Sequence, residues 1–353
     1  MNKRLIRVLA AALVVAMALL AGCSTAKQPA ANQGGQGAQG GQPQPAQKPQ
    51  DHVIFRLDWL PRGDYAPLFV AVEKGYFADE GIVIDNIVNG DGSVNAVKLV
   101  GSGEFTFGQA DAGTVVSGRV KGIPVKSILM RNQNSPMAWV SLKSSNITKP
   151  KDVEGRTFGV QPSGSTYIFY QVFAKLQGVD RSKVKEVTVS VPYENFLVEK
   201  KVDVVNGYID AEVPELEAKT GGPGSLNIIV GSQYGYKAYG TAIITSDKVI
   251  KEKPDLVKRF VRAYKKGFEY TVKNPDEAVD ILLKHRPEAK KDVMKIQLAA
   301  DIKYTFQSDD TKAHGLGWQT AQGWAQTQQN LFDTKVIDKK VDVNELFTDD
   351  FLQ

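Results

Sequence analysis

Apolar and polar positions alternate along most of the chain in segments of strand and helix length. Strand-like apolar runs occur at 53–57, 82–84, 105–107, 125–130, 187–191, 204–205 and 228–230. Between them lie segments with apolar residues at the i, i+3, i+4 and i+7 spacing of one helix face, most clearly at 169–176 and 256–268. This alternation predicts an α/β fold with mainly parallel sheets.

Two extended apolar segments, 137–142 and 241–245, lie about one hundred residues apart. A chain that leaves one lobe, builds a second and returns needs two such crossing strands. We therefore predict a first lobe of residues 52–141 and 240–353 and a second lobe of residues 142–239. A single continuous sheet is the alternative.

The N-terminus has the pattern of an export signal. Basic residues between positions 3 and 7 precede an apolar run at 8–20, and the run ends at Leu20-Ala21-Gly22-Cys23. A basic start, a short apolar core and small residues before a cleavage site predict a signal peptide at 1–22. A retained signal anchor is the alternative, but the run is short and ends at a cysteine.

The segment 20–23 resembles the lipobox of bacterial lipoproteins, in which the cysteine is diacylated and becomes the new N-terminus. We expect Cys23 to be lipidated and to hold the protein on the extracytoplasmic face of the cell membrane. Residues 24–50 are nearly all Gln, Gly, Pro and Ala, so we predict a disordered linker at 23–51. Cys23 is the only cysteine, which excludes an intramolecular disulfide.

Charge gives no sign of a polyanionic partner. The chain has 44 basic and 39 acidic residues, and three of the basic ones lie in the predicted signal peptide. We therefore expect no nucleic acid partner. We also expect a monomer. After residue 22, no apolar run approaches the roughly 18 to 20 residues that span a bilayer.

One long set of motifs carries a family resemblance. It starts at Leu57-Asp58-Trp59-Leu60-Pro61 and continues through 67–77, 81–82, 92–93, 99–103, 107–111, 122–125 and 151–160. The set resembles the solute-binding lipoproteins of ABC importers related to thiamine-pyrimidine-binding proteins (NMT1/THI5-like), a group that extends to binders of riboflavin, sulfonates, taurine and nitrate. The resemblance implies a type II periplasmic-binding-protein fold, a small-molecule ligand, a membrane permease as partner, and neither cofactor nor catalysis.

Ligands of open α/β sheets bind beyond the carboxyl ends of the strands, so the loops there hold the candidate site. The loop 59–65 follows the first predicted strand and contains Trp59, Asp64 and Tyr65. An aromatic ring in this loop would stack on a flat ligand, although core packing is the ordinary alternative for a tryptophan. Asp111 ends a later strand, where it would either accept a ligand N–H or cap the next helix.

The segment 162–167 lies between a predicted strand and a helix and contains Ser163, Ser165, Thr166 and Tyr167. Hydroxyl groups at a helix start cap its free N–H groups. The same N–H groups and the positive end of the helix dipole also attract an anion or a polar acceptor. Both interpretations stay open.

The segment 207–212 follows the predicted strand at 204–205. The resemblance implies that a carboxylate near this place meets the amino-bearing edge of a heterocycle, and Glu212 is the best match. Tyr208 would then form a second aromatic wall. A surface carboxylate is the alternative.

The related fungal pyrimidine synthases are the competing enzyme class. They have a cysteine cluster and active-site histidines, whereas this chain has one cysteine and only His52, His285 and His314. We therefore expect a binding protein and no metal. The aromatic loops favour a flat heteroaromatic ligand. Residues 62–65 depart from the more polar loop of the pyrimidine group, so riboflavin is slightly favoured over a thiamine pyrimidine precursor. A sulfonate-type anion at 163–166 is the alternative.

Overall fold

The computed structural model describes residues 50–190 and 192–352, and Lys48–Gln353 forms one compact unit. The predicted signal peptide, Cys23 and nearly all of the predicted linker lie outside the described residues. The strands are β1 (Asp51–Arg56), β2 (Ile82–Val88), β3 (Phe107–Asp111), β4 (Val125–Met130), β5 (Met137–Leu142), β6 (Thr157–Val160), β7 (Lys185–Thr188), β8 (Val204–Tyr208), β9 (Leu226–Val230) and β10 (Thr241–Ser246).

The helices alternate with these strands through both lobes and then follow one another after β10. They are α1 (Ala66–Glu73), α2 (Tyr76–Asp79), α3 (Ser93–Gly101), α4 (Ala112–Val120), α5 (Ser165–Leu176), α6 (Glu194–Val198), α7 (Glu212–Thr220), α8 (Asp247–Glu252), α9 (Pro254–Lys273), α10 (Pro275–His285), α11 (Lys291–Tyr304), α12 (Asp309–His314) and α13 (Ala321–Asp333). In the part of the chain that the structure describes, no helix is both long and apolar enough to cross a membrane.

Two five-stranded sheets with the same topology organise the two lobes. The first has the order β2-β1-β3-β10-β4 and the second has the order β7-β6-β8-β5-β9. One strand in each sheet, β10 or β5, runs antiparallel to both of its neighbours, and the other pairs are parallel. Since β10 returns to the first sheet after the second is complete, the chain crosses between the lobes twice. The prediction of a two-lobed α/β fold with mainly parallel sheets is confirmed.

The crossing strands set where each lobe begins. β5 pairs with β8 and β9 only, so the second sheet begins at Met137, a few residues before the predicted boundary at 142. The strand predicted at 105–107 is β3, which begins at Phe107 and runs on to Asp111. Phe105 is buried without being in a strand, because it packs from the preceding turn beneath the guanidinium of Arg56. The strand predicted at 187–191 is β7, which spans Lys185–Thr188.

Aromatic cores fix both sheets. In the first lobe the amphipathic helix α9 lies on the sheet, and Phe260 stacks on Phe107 with ring centroids 3.8 Å apart. In the second lobe Trp139 meets Phe158 and Phe173 edge-on at 5.3 and 4.8 Å. Each of these rings is buried, which stabilises the fold by about 1.5–3 kcal/mol per side chain. These cores hold in place the strand ends from which the loops between the lobes project.

Candidate ligand-binding site

A cleft between the lobes is lined by residues that follow strands of both sheets. The first lobe supplies the loop after β1 and the start of α3, and the second supplies the starts of α5 and α7 and the end of β8. The lining residues are Asp58, Trp59, Arg62, Gly92, Ser93, Gln161, Gly164, Ser165, Thr166, Tyr193, Tyr208 and Glu212. The empty space between these residues is about 290 Å³ with the open mouth included.

Arg62 lies at the centre of this cleft and joins the two lobes. Its Nη1 donates to Glu212 Oε1 at 2.6 Å and its Nε donates to Asp64 Oδ1 at 3.1 Å. The guanidinium carbon lies 4.9 Å from the ring centroid of Tyr208 and 5.7 Å from that of Tyr65. Burial alone would lower the pKa of Arg62, but the carboxylates of Glu212 and Asp64 together raise it well above its usual value. The guanidinium is therefore a permanent cation between the lobes.

Asp64 anchors Arg62 to the first lobe. Its Oδ2 accepts from Arg131 Nη2 at 2.5 Å, and its carbonyl oxygen accepts from Arg131 Nη1 at 3.0 Å. Arg131 is almost fully buried. Because two arginines occupy the Asp64 carboxylate, its acceptor capacity is directed inward, away from a ligand.

Asp58 is the carboxylate that the first lobe presents to the cavity. It accepts hydrogen bonds from Gln109 Nε2 at 2.7 Å, Tyr65 Oη at 2.8 Å and Ser93 Oγ at 3.2 Å. These three donors satisfy the acceptor oxygens of the buried Asp58 side chain. The hydroxyl of Tyr65 therefore supports Asp58 from behind, and its ring does not line the cavity.

Two aromatic rings from opposite lobes meet at the cleft. Trp59 follows β1, and Tyr193 precedes α6 in the second lobe. Their ring centroids lie 5.8 Å apart with the planes inclined by 59°. A flat molecule between them needs the rings to separate and turn parallel, because two successive stacking contacts need more room than one.

The start of α5 forms the wall of the cleft in the second lobe. Gly164 is the N-cap residue and has no side-chain cap hydrogen bond. Instead, the Ser165 hydroxyl is hydrogen-bonded to Tyr208 Oη at 2.7 Å. The serine thus orients the ring of Tyr208, and the first N–H groups of α5 stay available at the cavity.

Ser163 and Tyr167 lie outside the cavity lining. Ser163 contacts the first lobe, where its Oγ donates to the carbonyl oxygen of Asp91 at 3.4 Å. Tyr167 lies on the flank of the second lobe beside Glu186 and Arg181. The structure therefore separates these two predicted ligand contacts from Ser165 and Thr166, which do line the cavity.

Asp111 caps α4, and its Oδ1 accepts from Gly113 N at 2.9 Å. It is buried behind the cavity lining, beside Ser93, whose Oγ accepts from the Asp111 N–H at 3.2 Å. Burial raises the pKa of Asp111 to about 7, although the N–H group of Gly113 lowers it. Of the two interpretations left open from the sequence, the helix cap is the one that the structure contains.

Helix α11 brings polar groups of the first lobe to the second. Gln297 Nε2 donates to the carbonyl oxygen of Ala211 at 2.8 Å, and its Oε1 accepts from Gly63 N at 2.9 Å. Burial, together with the neighbouring Asp210 carboxyl, raises the pKa of Asp301 well above its usual value. Burial also raises the pKa of Asp210. Asp301 belongs to the first lobe and Asp210 to the second, so the two carboxyl groups meet where the lobes touch.

Of the predicted site residues, the cavity lining includes Trp59, Ser165, Thr166, Tyr208 and Glu212, whereas Asp64, Tyr65, Asp111, Ser163 and Tyr167 lie behind or beside it. Cys23 lies outside the described residues. The lining also includes four residues that were not predicted as ligand contacts: Asp58, Ser93, Gln161 and Tyr193. Tyr193 lies in the loop after β7, so it could have been predicted in the same way as the residues of the other loops that follow strands. Arg62 also lines the cavity, where its partners are Asp64 and Glu212.

The chain is similar in sequence to known binding proteins and to a synthase. Residues 62–278 match the family described as NMT1/THI5 like. The chain is 29% identical to the riboflavin-binding protein RibY of Chloroflexus aurantiacus, over 87% of this chain and 88% of that protein. It is 26% identical to the formylaminopyrimidine-binding protein of Halalkalibacterium halodurans, over 77% of this chain and 82% of that protein. It is 24% identical to the 4-amino-5-hydroxymethyl-2-methylpyrimidine phosphate synthase of Legionella pneumophila, over 86% of this chain and 93% of that protein.

Solved structures share the fold. The ligand-binding component of an ABC-type import system from Staphylococcus aureus superposes with a TM-score of 0.66 at 14% identity, over 86% of this chain and 98% of that one. The periplasmic aliphatic sulphonate binding protein of Escherichia coli superposes with a TM-score of 0.64 at 10% identity, over 84% and 91%. The resemblance seen in the sequence is confirmed, and the chain belongs to the NMT1/THI5 like family.

Proposed function

We propose that this protein is the solute-binding component of an ABC-type importer and that it delivers a flat heteroaromatic solute to a membrane permease. The observation that carries the proposal is the arrangement of the cleft, in which the rings of Trp59 and Tyr193 meet from opposite lobes with their centroids 5.8 Å apart. Beside them, Asp58 and Glu212 present carboxylates to the cavity. A flat solute would stack on the rings, for about 0.5–1.5 kcal/mol per contact, and donate N–H groups to the carboxylates.

Riboflavin is the first candidate. The similarity to a riboflavin-binding protein over most of both chains supports it, as does the supply of aromatic rings by both lobes. A three-ring solute with a ribityl chain needs more room than the present cavity of about 290 Å³. Wider opening of the lobes, or movement of Arg62, would supply that room.

An aminopyrimidine is the second candidate. The Glu212 side chain in the cavity lining favours it, since an amino group beside a ring nitrogen matches a carboxylate. The similarity to a formylaminopyrimidine-binding protein also supports it. A sulfonate fits less well, because Asp58 and Glu212 would repel an anion at the start of α5.

We propose binding without turnover, although the family includes synthases. Each histidine is engaged away from the cavity. His52 hydrogen-bonds Asp85, His285 packs on Phe69 and His314 stacks on Trp318. Among the described residues, no cluster of three or more His, Cys, Asp or Glu side chains is arranged to hold a metal ion.

We also propose that Cys23 carries the lipid anchor and keeps the binding unit on the extracytoplasmic face of the membrane. The pattern of residues 1–23 is the support for this assignment.

A thermal-shift screen of a protein that begins at Lys48 tests the proposed function. The panel contains riboflavin, thiamine, aminopyrimidine precursors, taurine, alkanesulfonates and nitrate. A true ligand at about one hundred times its Kd stabilises the native state by about 2.7 kcal/mol, which shifts Tm by several degrees. The bound solute should be recovered unchanged. A shift with anions alone, or chemical conversion of the solute, would contradict the proposal.

A further inference from the structure

Arg62 makes the contacts that the proposed ligand needs. Its planar guanidinium lies over the ring of Tyr208 at 4.9 Å and donates to the Glu212 carboxylate at 2.6 Å. An aminoheterocycle in the cleft would use the same ring face and the same carboxylate. Since a guanidinium is flat and has only donors, it resembles the donor edge of such a ligand.

The surroundings of Arg62 are built to keep it there. Glu212 is fixed by the N–H of Tyr208, which donates to Oε2 at 3.0 Å, and Asp64 is fixed by Arg131. Arg62 and Glu212 are each only 6% exposed. Of the described residues that line the cavity, Arg62 is the one basic side chain. Its charge therefore compensates the carboxylates only while it stays in the cleft.

The same side chain connects the lobes, because Arg62 belongs to the first lobe and Glu212 to the second. A solute cannot reach Glu212 Oε1 until the guanidinium leaves it. We propose that Arg62 is an internal competitor of the ligand, filling the recognition site and holding the lobes together until a solute with its own N–H donors takes its place on Glu212. The replacement of Arg62 by a solute rests on the proposed function. The filling of the recognition site and the connection between the lobes concern the ligand-free protein alone.

This exchange sets the class of solute. A neutral or cationic heterocycle with an N–H edge replaces both the stacking and the hydrogen bond that Arg62 gives up. An anion replaces neither, and it would leave Glu212 buried without a partner, which is costly. The cleft is therefore selective for donor-edged rings.

The first test uses no solute. Spin labels at Lys98→Cys and Lys175→Cys, two exposed positions on different lobes, report the separation of the lobes in the protein that begins at Lys48. We expect a short separation in the otherwise unchanged protein and a longer one in Arg62→Ala. Methylguanidinium at millimolar concentration should restore the short separation in Arg62→Ala and not in Arg62→Ala with Glu212→Gln. Tetramethylammonium, a cation without N–H donors, should have no effect on either.

Two results overturn the proposal: an Arg62→Ala protein as closed as the parent, or one that methylguanidinium leaves open. If Arg62→Ala does not fold, Glu212→Gln keeps the side-chain volume and removes only the charge, and it should also open the lobes. Arg119→Ala is the matched control, since Arg119 pairs with Asp247 and Glu345 outside the cleft.

The second test adds a solute and separates the two proposals. In Arg62→Ala the solute should bind at least as tightly as in the parent, and methylguanidinium should weaken it competitively. A different result is that Arg62→Ala weakens solute binding tenfold or more while methylguanidinium still closes the lobes. That result would make Arg62 a ligand contact and would overturn the proposal that Arg62 competes with the ligand. If no solute binds either protein, the proposed function fails, while the label distances still decide the role of Arg62.

Discussion

Arg62 Nη1 donates to Glu212 Oε1 at 2.6 Å across the cleft, although the two residues are 150 positions apart in the chain. Removing one partner of such a buried pair costs about 3–5 kcal/mol when the other stays buried. The remaining charge escapes this cost by reaching water, which requires the lobes to part. Glu212 can also take up a proton, because burial raises the pKa of this carboxyl to about 7. Contact between Arg62 and Glu212 therefore links the occupant of the cleft to the closure of the lobes.

Replacing Glu212 by Gln should distinguish the two candidate ligands. A hydrogen bond to a charged group contributes about 1.5–3 kcal/mol, so the Kd for an aminopyrimidine should rise at least tenfold. Riboflavin, whose ring offers more stacking area, should lose less. Isothermal titration calorimetry measures both. Glu199→Gln, on the exposed surface of the same lobe, should change neither Kd, and equal losses for both ligands would argue against Glu212 as the contact that discriminates them.

Removal of either cleft ring should weaken binding of a flat solute. Trp59→Ala and Tyr193→Ala each delete one stacking surface and its buried area, so we expect a loss of at least about 1 kcal/mol, or about fivefold in Kd. Tyr304→Ala, which removes a ring that is 51% exposed outside the cavity, is the control. Unchanged calorimetric affinity in both cleft variants would mean that the solute binds elsewhere.

Stability should fall as the pH rises towards neutrality, and Asp111 should account for part of the fall. Burial raises the pKa of Asp111 to about 7, so the native state holds this proton more tightly than the unfolded chain does. The contribution is complete below about pH 4 and is lost as the pH rises through about 7. Asp111→Asn keeps an acceptor for the Gly113 N–H group and should flatten the dependence of Tm on pH between these values. An unchanged slope would show that Asp111 does not titrate there.

Replacing Cys23 by Ala should release the protein from the membrane fraction. The acyl chains contribute about 0.8 kcal/mol per buried methylene, and the variant has no thiol to carry them. Ligand affinity of the purified protein should be unchanged. A variant that stays in the membrane fraction after a carbonate wash would exclude Cys23 as the anchor.

The lobed architecture could be predicted because its signals are local. Amphipathic spacing at 256–268 is enough to predict the helix that becomes α9, and the extended segments 137–142 and 241–245 both form strands at the crossings. Strand bounds were less accurate where an apolar side chain is buried from a turn, as Phe105 is beneath Arg56. Apolar character reports burial, whereas backbone pairing decides where a strand begins.

The site was harder to predict, because its contacts form only when two lobes meet. The expectation that ligand contacts lie in the loops after the strands identified Trp59, Tyr208 and Glu212. It did not indicate that Tyr65 points its hydroxyl inward at Asp58, or that Arg62 crosses to Glu212. Those facts depend on side-chain direction and on a contact between distant segments, neither of which residue type or spacing encodes.

A fluorescence titration of riboflavin with the protein that begins at Lys48, with an aminopyrimidine and an alkanesulfonate as competitors, distinguishes a binder of flat heterocycles from a binder of anions. We expect saturable quenching at one riboflavin per chain, since stacked aromatic side chains offer an electron-transfer route. A donor-edged ring should reverse the quenching, and the sulfonate should not. If riboflavin is the wrong heterocycle, the aminopyrimidine alone should still produce heat in a calorimeter. Binding of the alkanesulfonate with no response to either heterocycle would contradict the proposal that the cleft binds a flat heteroaromatic solute.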